Sequence, residues 1–306
     1  MSLPDAVLEG ALLHLPGCSF APALGKVKAM ARDERCPLSV LAAIIGSDPG
    51  MALSVLARAH FPGRLPPGSS LGIAAAINRL GIPATIALLD EVQVIPPHLT
   101  KPMASVWAQA NAASLMVRLL ANRCPPALFA DPQTRELIPL CGLFAELGST
   151  IALRIFGEQY QTAASRMLSD QGSFHDHLQA ELGICPGKLA QRYLTLWGVP
   201  SLIGEAIAQQ YRREDDHPAL ALGCLLHVSR NLTCGCGFAA GVDHFVEAID
   251  QRALAVLNLR GNDLSPLIDE FFDEMRHLEY YEISRPNPES SPSDTRAYRR
   301  RGPTGS

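Results

Sequence analysis

An all-α, multi-helix bundle is the fold class this sequence predicts, and three observations predict it. Apolar residues recur at three- and four-residue spacing over long stretches, with few of the alternating runs that a half-buried strand leaves. Aspartates standing directly before prolines mark helix starts, and glycines at 63, 81, 183 and 198 mark stops. Short turns bearing Pro or Gly separate elements of about 10 to 20 residues, as in packed bundles.

Taken in chain order, the first clear boundary is Ser47-Asp48-Pro49, a capping side chain followed by a proline at the first helical position. Residues 61–70, FPGRLPPGSS, hold three prolines and two glycines and predict an exposed loop. Lys101–Cys124 reads as one helix, with Val106, Ala110, Ala113, Val117 and Leu120 lining a face. Asp131-Pro132 repeats the start signal, and Leu137–Phe156 is periodic throughout. A charged break, RREDDH at 212–217, follows a helix ending near Tyr211. Residues 218–283 predict about three more amphipathic helices, a C-terminal helical extension. From Ser284 the chain lacks apolar residues to bury, so 284–306 is predicted to be a disordered tail.

Composition narrows the function classes. The 306 residues suffice for a sizeable core, being 47% hydrophobic and 18% charged. A net charge of −4 and a pI near 6.1 exclude a broadly basic footprint for nucleic acid. Arg299–Arg301 would add only weak, salt-sensitive contacts. No apolar run is read as reaching the roughly 18 residues of a membrane span. The start, MSLPDAVLEGALLHLPG, has acidic residues and no positive segment, so it does not read as a signal peptide. Eight scattered cysteines suit a reducing cytosol. A cytoplasmic protein with no membrane or nucleic-acid partner is expected.

Four segments carry a resemblance. LSVLAAIIGSDPGMALSVLARAH at 38–60 and SLGIAAAINRLGI at 70–82 are the first two. CGLFAELGSTIAL at 141–153 is the third. In the fourth, over 181–211, Glu-Leu-Gly is followed by Trp197, Pro200 and Gln209-Gln210. Together, over residues 14–211, these resemble the HDOD domain, a degenerate relative of the HD-superfamily metal-dependent phosphohydrolases. Asp48, Pro49, Ser70, Ala76, Ile77, Leu80 and Gly81 match its pattern, and His60 stands where the family usually has Asn. The resemblance implies an N-terminal helical subdomain followed by an HD-like helical core.

The departures are chemical. An HD enzyme holds one or two divalent metals through imidazoles and carboxylates. The resemblance puts Ala145-Glu146 at the His-Asp pair, Pro186 beside Cys185 where another His falls, and Gln209-Gln210 at a terminal His-His. Alanine and proline offer no side-chain donor, and amides are poor metal ligands. No catalytic residue, metal or cofactor is therefore expected, and Ala145, Glu146, Pro186, Gln209 and Gln210 are left as vestigial pocket positions. Glu146 itself is expected to be solvated or paired with a base such as Arg154.

Other groups carry less. His175 and His177 would diverge by about 200° on a helix and cannot share one ion. A helix starting after Gly172-Ser173 would put Asp176 in its first turn. Cys234-Gly-Cys236 lacks the zinc-knuckle spacer and reads as an interhelical loop, although Cys224 and His227 could approach it. Trp197 and Pro200 are read as core, ahead of any ligand-stacking role.

The resulting expectation is a non-catalytic regulatory adaptor of bacterial signal transduction, binding a partner from a two-component or cyclic-nucleotide pathway. A sensor of a small molecule or nucleotide in the vestigial pocket is one alternative. A divergent phosphohydrolase with ligands relocated to His175, His177 or Glu181 is the other.

Overall fold

The computed structural model describes residues 5–15, 17–19, 21–31, 36–60, 71–95, 97–170, 172–212, 214–239, 243 and 245–277. The predicted loop at 61–70 and tail at 284–306 lie outside them, as do Gly63 and Ser70. Sixteen α-helices occur among the described residues. The N-terminal group is α1 (Asp5–Leu13), α2 (Ala21–Met30), α3 (Leu38–Gly46), α4 (Pro49–Ala59), α5 (Ile73–Leu80) and α6 (Ile82–Asp90). Two short strands, β1 (Cys18–Ser19) and β2 (Gln93–Val94), pair in parallel beside them.

The long α7 (Pro97–Ala121) leads into the core: α8 (Pro132–Leu143), α9 (Leu147–Ile155), α10 (Gly157–Asp170), α11 (Phe174–Leu182), α12 (Pro186–Leu196) and α13 (Ser201–Arg212). The chain continues through α14 (Leu220–Gly235), α15 (Gln251–Leu257) and α16 (Gly261–His277). These last three complete the bundle: α14 packs on α13 and α7, and α16 lies along α7. Arg118 pairs with Glu274, and Arg123 with Glu270 at 2.6 Å, across the α7–α16 seam.

The start signals work as their chemistry requires. Asp131 accepts from the Thr134 amide at 2.8 Å. Asp48 accepts from the Met51 amide at 2.9 Å, capping α4, and is fully buried. Its second oxygen takes the Ser19 hydroxyl at 3.0 Å and the Trp107 indole N–H at 3.3 Å, so one carboxylate joins β1, α4 and α7. At the far end of α4, His60 Nδ1 lies 2.9 Å from the Leu56 carbonyl oxygen, and Nε2 accepts from the Leu71 amide at 3.0 Å. The imidazole thus ties the end of α4 to Leu71. Gly183 ends α11 in the left-handed region, at φ 72°.

The periodic stretch Leu137–Phe156 is divided, because the chain turns over Phe144–Glu146 between α8 and α9. The expectation that no apolar run reaches the length of a membrane span is corrected. Pro132–Ile155, which spans α8 and α9, is apolar and long enough, by length and composition, to cross a membrane. Most of its apolar stretch is buried inside the fold against neighbouring helices.

Candidate functional site

The turn between α8 and α9 is stabilised from another helix. Gln210 Nε2, on α13, donates to the Ala145 carbonyl at 2.9 Å, a backbone acceptor that the turn leaves outside the helix ladder. Gly148, one residue into α9, meets the first turn of α12: a Cβ there would overlap the Pro186 carbonyl. Gly223 of α14 lies as closely on Gln209. These glycine crossings bring Ala145, Pro186, Gln209 and Gln210 to one region of the core.

Glu146 is buried at 4% exposure, which corrects the expectation of a solvated carboxylate; the base it faces is Arg230. Its Oε2 lies 3.1 Å from His175 Nε2 and accepts from the Ser149 hydroxyl at 3.1 Å. Its Oε1 faces Arg230 Nε at 3.4 Å. Arg230, on α14, also pairs with Asp243, and its Nη2 approaches His175 Nδ1 at 3.0 Å. Asp243 Oδ2 stands 3.3 Å from the same nitrogen. A neutral imidazole therefore accepts from Arg230 and donates to Glu146, whereas a doubly protonated one donates to Glu146 and Asp243. Tyr211 packs on the imidazole, with ring centroids 4.6 Å apart.

The electrostatics follow from this packing. Burial pushes the Glu146 carboxyl up, but His175 and Arg230 outweigh it and hold it down at about 2. Burial disfavours the Arg230 cation, and Asp243 and Glu146 more than restore it. The Tyr211 phenol is raised well above its ordinary value by burial first and the Glu146 charge second.

Metal chemistry does not fit these side chains. Ala145 has no donor atom, and a guanidinium already supplies the positive charge between Glu146 and Asp243. Among the described residues no three His, Cys, Asp or Glu side chains are grouped to hold an ion. His177 and Glu181 do not join His175: Glu181 pairs with Arg166. Gln209 Oε1 accepts from the Glu214 amide at 2.7 Å, so this amide oxygen is also committed to backbone. The Cys234–Cys236 segment is not the predicted loop, since α14 runs to Gly235. Burial raises both thiols to about 11, so neither is a thiolate nucleophile at neutral pH.

The profile of the HDOD domain matches residues 18–213. The chain belongs to the HDOD family. Its fold is similar to that of the MmoQ response regulator from Methylococcus capsulatus, with TM-score 0.61 and 18% identity over 84% of this chain and 99% of that one. It is also similar to a virulence factor of Campylobacter jejuni, with TM-score 0.61 and 14% identity over 92% and 97% of the two chains. No curated protein sequence matches it.

Within this HDOD protein, the residues that sequence reasoning missed are Arg230, Asp243 and Ser149. His175 was singled out, but for a pairing with His177 that the helix forbids. A usable signal was present for Arg230: an arginine amid the apolar run LALGCLLHVSRNL must find a buried anion.

Proposed function

We propose that this HDOD protein is a non-catalytic signalling adaptor that acts by binding another protein. The observation that carries the reading is the Arg230 guanidinium held between Glu146 and Asp243. A side chain of this helical core balances the buried carboxylates, which supports a core that works without a hydrolytic cation. Likeness to a protein named as a response regulator supports a place in signalling. The partner is expected to be a protein of a two-component or cyclic-nucleotide pathway, met in the cytoplasm.

The test is hydrolysis of nucleotides, phosphomonoesters and cyclic nucleotides with magnesium, manganese or iron(II) present. No turnover is expected. Metal-dependent turnover that disappears in Glu146→Ala would overturn the reading. Ligand sensing through Gln209 and Gln210 is less favoured, because both amides already bond backbone groups.

A further inference from the structure

Three helices end around one open cleft on the seam between the N-terminal group and the core. Leu88 and Val92 line it from the end of α6, Arg58 from the last turn of α4, and Leu196 and Trp197 from the end of α12. Its volume is about 350 Å³. Small-ligand sites run from roughly 300 to 1,000 Å³, with apolar walls and a few polar groups that fix orientation. The cleft has both features.

Its polar groups are two opposite charges. Arg58 and Glu91 both line the cleft and both are exposed. Neither forms an ion pair with the other or with another described residue, whereas Asp90, next to Glu91, takes Lys28 at 2.8 Å. The C-terminal ends of α4, α6 and α12 add partial negative charge on the same side as Glu91. Arg58 supplies the positive charge. Trp197, partly exposed, brings an aromatic ring to the wall opposite α6.

We propose that this cleft binds a small zwitterion of the amino-acid class with an apolar side chain. Glu91 and the helix ends hold its ammonium group, Arg58 holds its carboxylate, and Leu88, Val92 and Trp197 pack its side chain. A purely anionic ligand would face Glu91 and three negative helix ends, and a purely cationic one would face Arg58. A molecule with both charges close together answers each. Bound there, it touches α6 and α12 at once and so bridges the seam. The proposal goes beyond the adaptor reading and does not rest on it, because the cleft shares no lining residue with the Glu146–Arg230 cluster.

The probes are L-phenylalanine, phenethylamine, which lacks the carboxylate, and 3-phenylpropanoate, which lacks the ammonium group. With the full chain, phenylalanine should change the tryptophan emission saturably, with a Kd on the order of 1 mM or tighter. The chain holds two tryptophans and Trp107 is 4% exposed, so the change reports Trp197. Each single-charge analogue should bind at least about fivefold more weakly. Glu91→Gln should weaken phenylalanine and phenethylamine by about the same factor without weakening 3-phenylpropanoate. Arg58→Gln should weaken phenylalanine and 3-phenylpropanoate and spare phenethylamine. Both residues are exposed, so both variants should melt as wild type does. No saturable change with phenylalanine overturns the proposal, as does a single-charge analogue that binds equally well. A variant that weakens all three ligands alike, or none, overturns it too.

Discussion

His175 Nε2 and Glu146 Oε2 lie 3.1 Å apart, 29 residues distant in sequence and both buried. The pair joins the start of α9 to the first turn of α11, and Arg230 ties α14 to it. Charges removed from water are tolerated only when each has a partner.

Removing one member exposes that cost. Arg230→Met should destabilise the fold by about 3–5 kcal/mol, because Glu146 and Asp243 would remain buried without their cation. Urea unfolding of the variant, with the m-value compared to wild type, checks it.

Acid should reveal Glu146. Its carboxyl titrates at about 2 in the fold, against an ordinary value of 4.5. The unfolded chain therefore takes up this proton first as pH falls. The contribution is complete above 4.5 and drains away as pH drops towards 2, amounting to about 3 kcal/mol. Stability measured from pH 5 to pH 2.5 should show this slope in wild type and lack it in Glu146→Gln.

His60 should act in a different window. Burial chiefly lowers its pKa from 6.5, and the neutral ring is the form that accepts from the Leu71 amide. The unfolded state binds the proton more readily, so stability is intact above 6.5 and falls as pH decreases through the lowered folded value. His60→Asn, which keeps a donor and an acceptor, should remove this pH dependence. Thermal melts at pH 7.5 and pH 5.5 compare the two proteins.

Gly148→Ala should cost about 2 kcal/mol or more, since its methyl would overlap the Pro186 carbonyl and force α9 from α12. A drop in melting temperature without loss of helical circular dichroism at 20 °C is the expected result.

Asp48→Ala should cost about 3 kcal/mol, for it loses the α4 cap and leaves the Ser19 hydroxyl and Trp107 N–H without this acceptor. Chemical denaturation measures it. Asp48→Asn, which keeps a side-chain oxygen, should recover part of the loss.

The sequence by itself determined the helices and many of their ends, because capping, periodicity and glycine stops act within a few residues. Asp48-Pro49, Asp131-Pro132 and Gly183 were legible for that reason. The segment around Ala145-Glu146 also announced its family, since a missing imidazole is visible in the letters alone. Tertiary structure decided what surrounds Glu146. Its partners come from α11, α14 and the segment after α14, and no local rule sets the distance between side chains on different helices. Close crossings at Gly148 and Gly223 set that distance, and with it the choice of a buried guanidinium over water as the neighbour of a carboxylate.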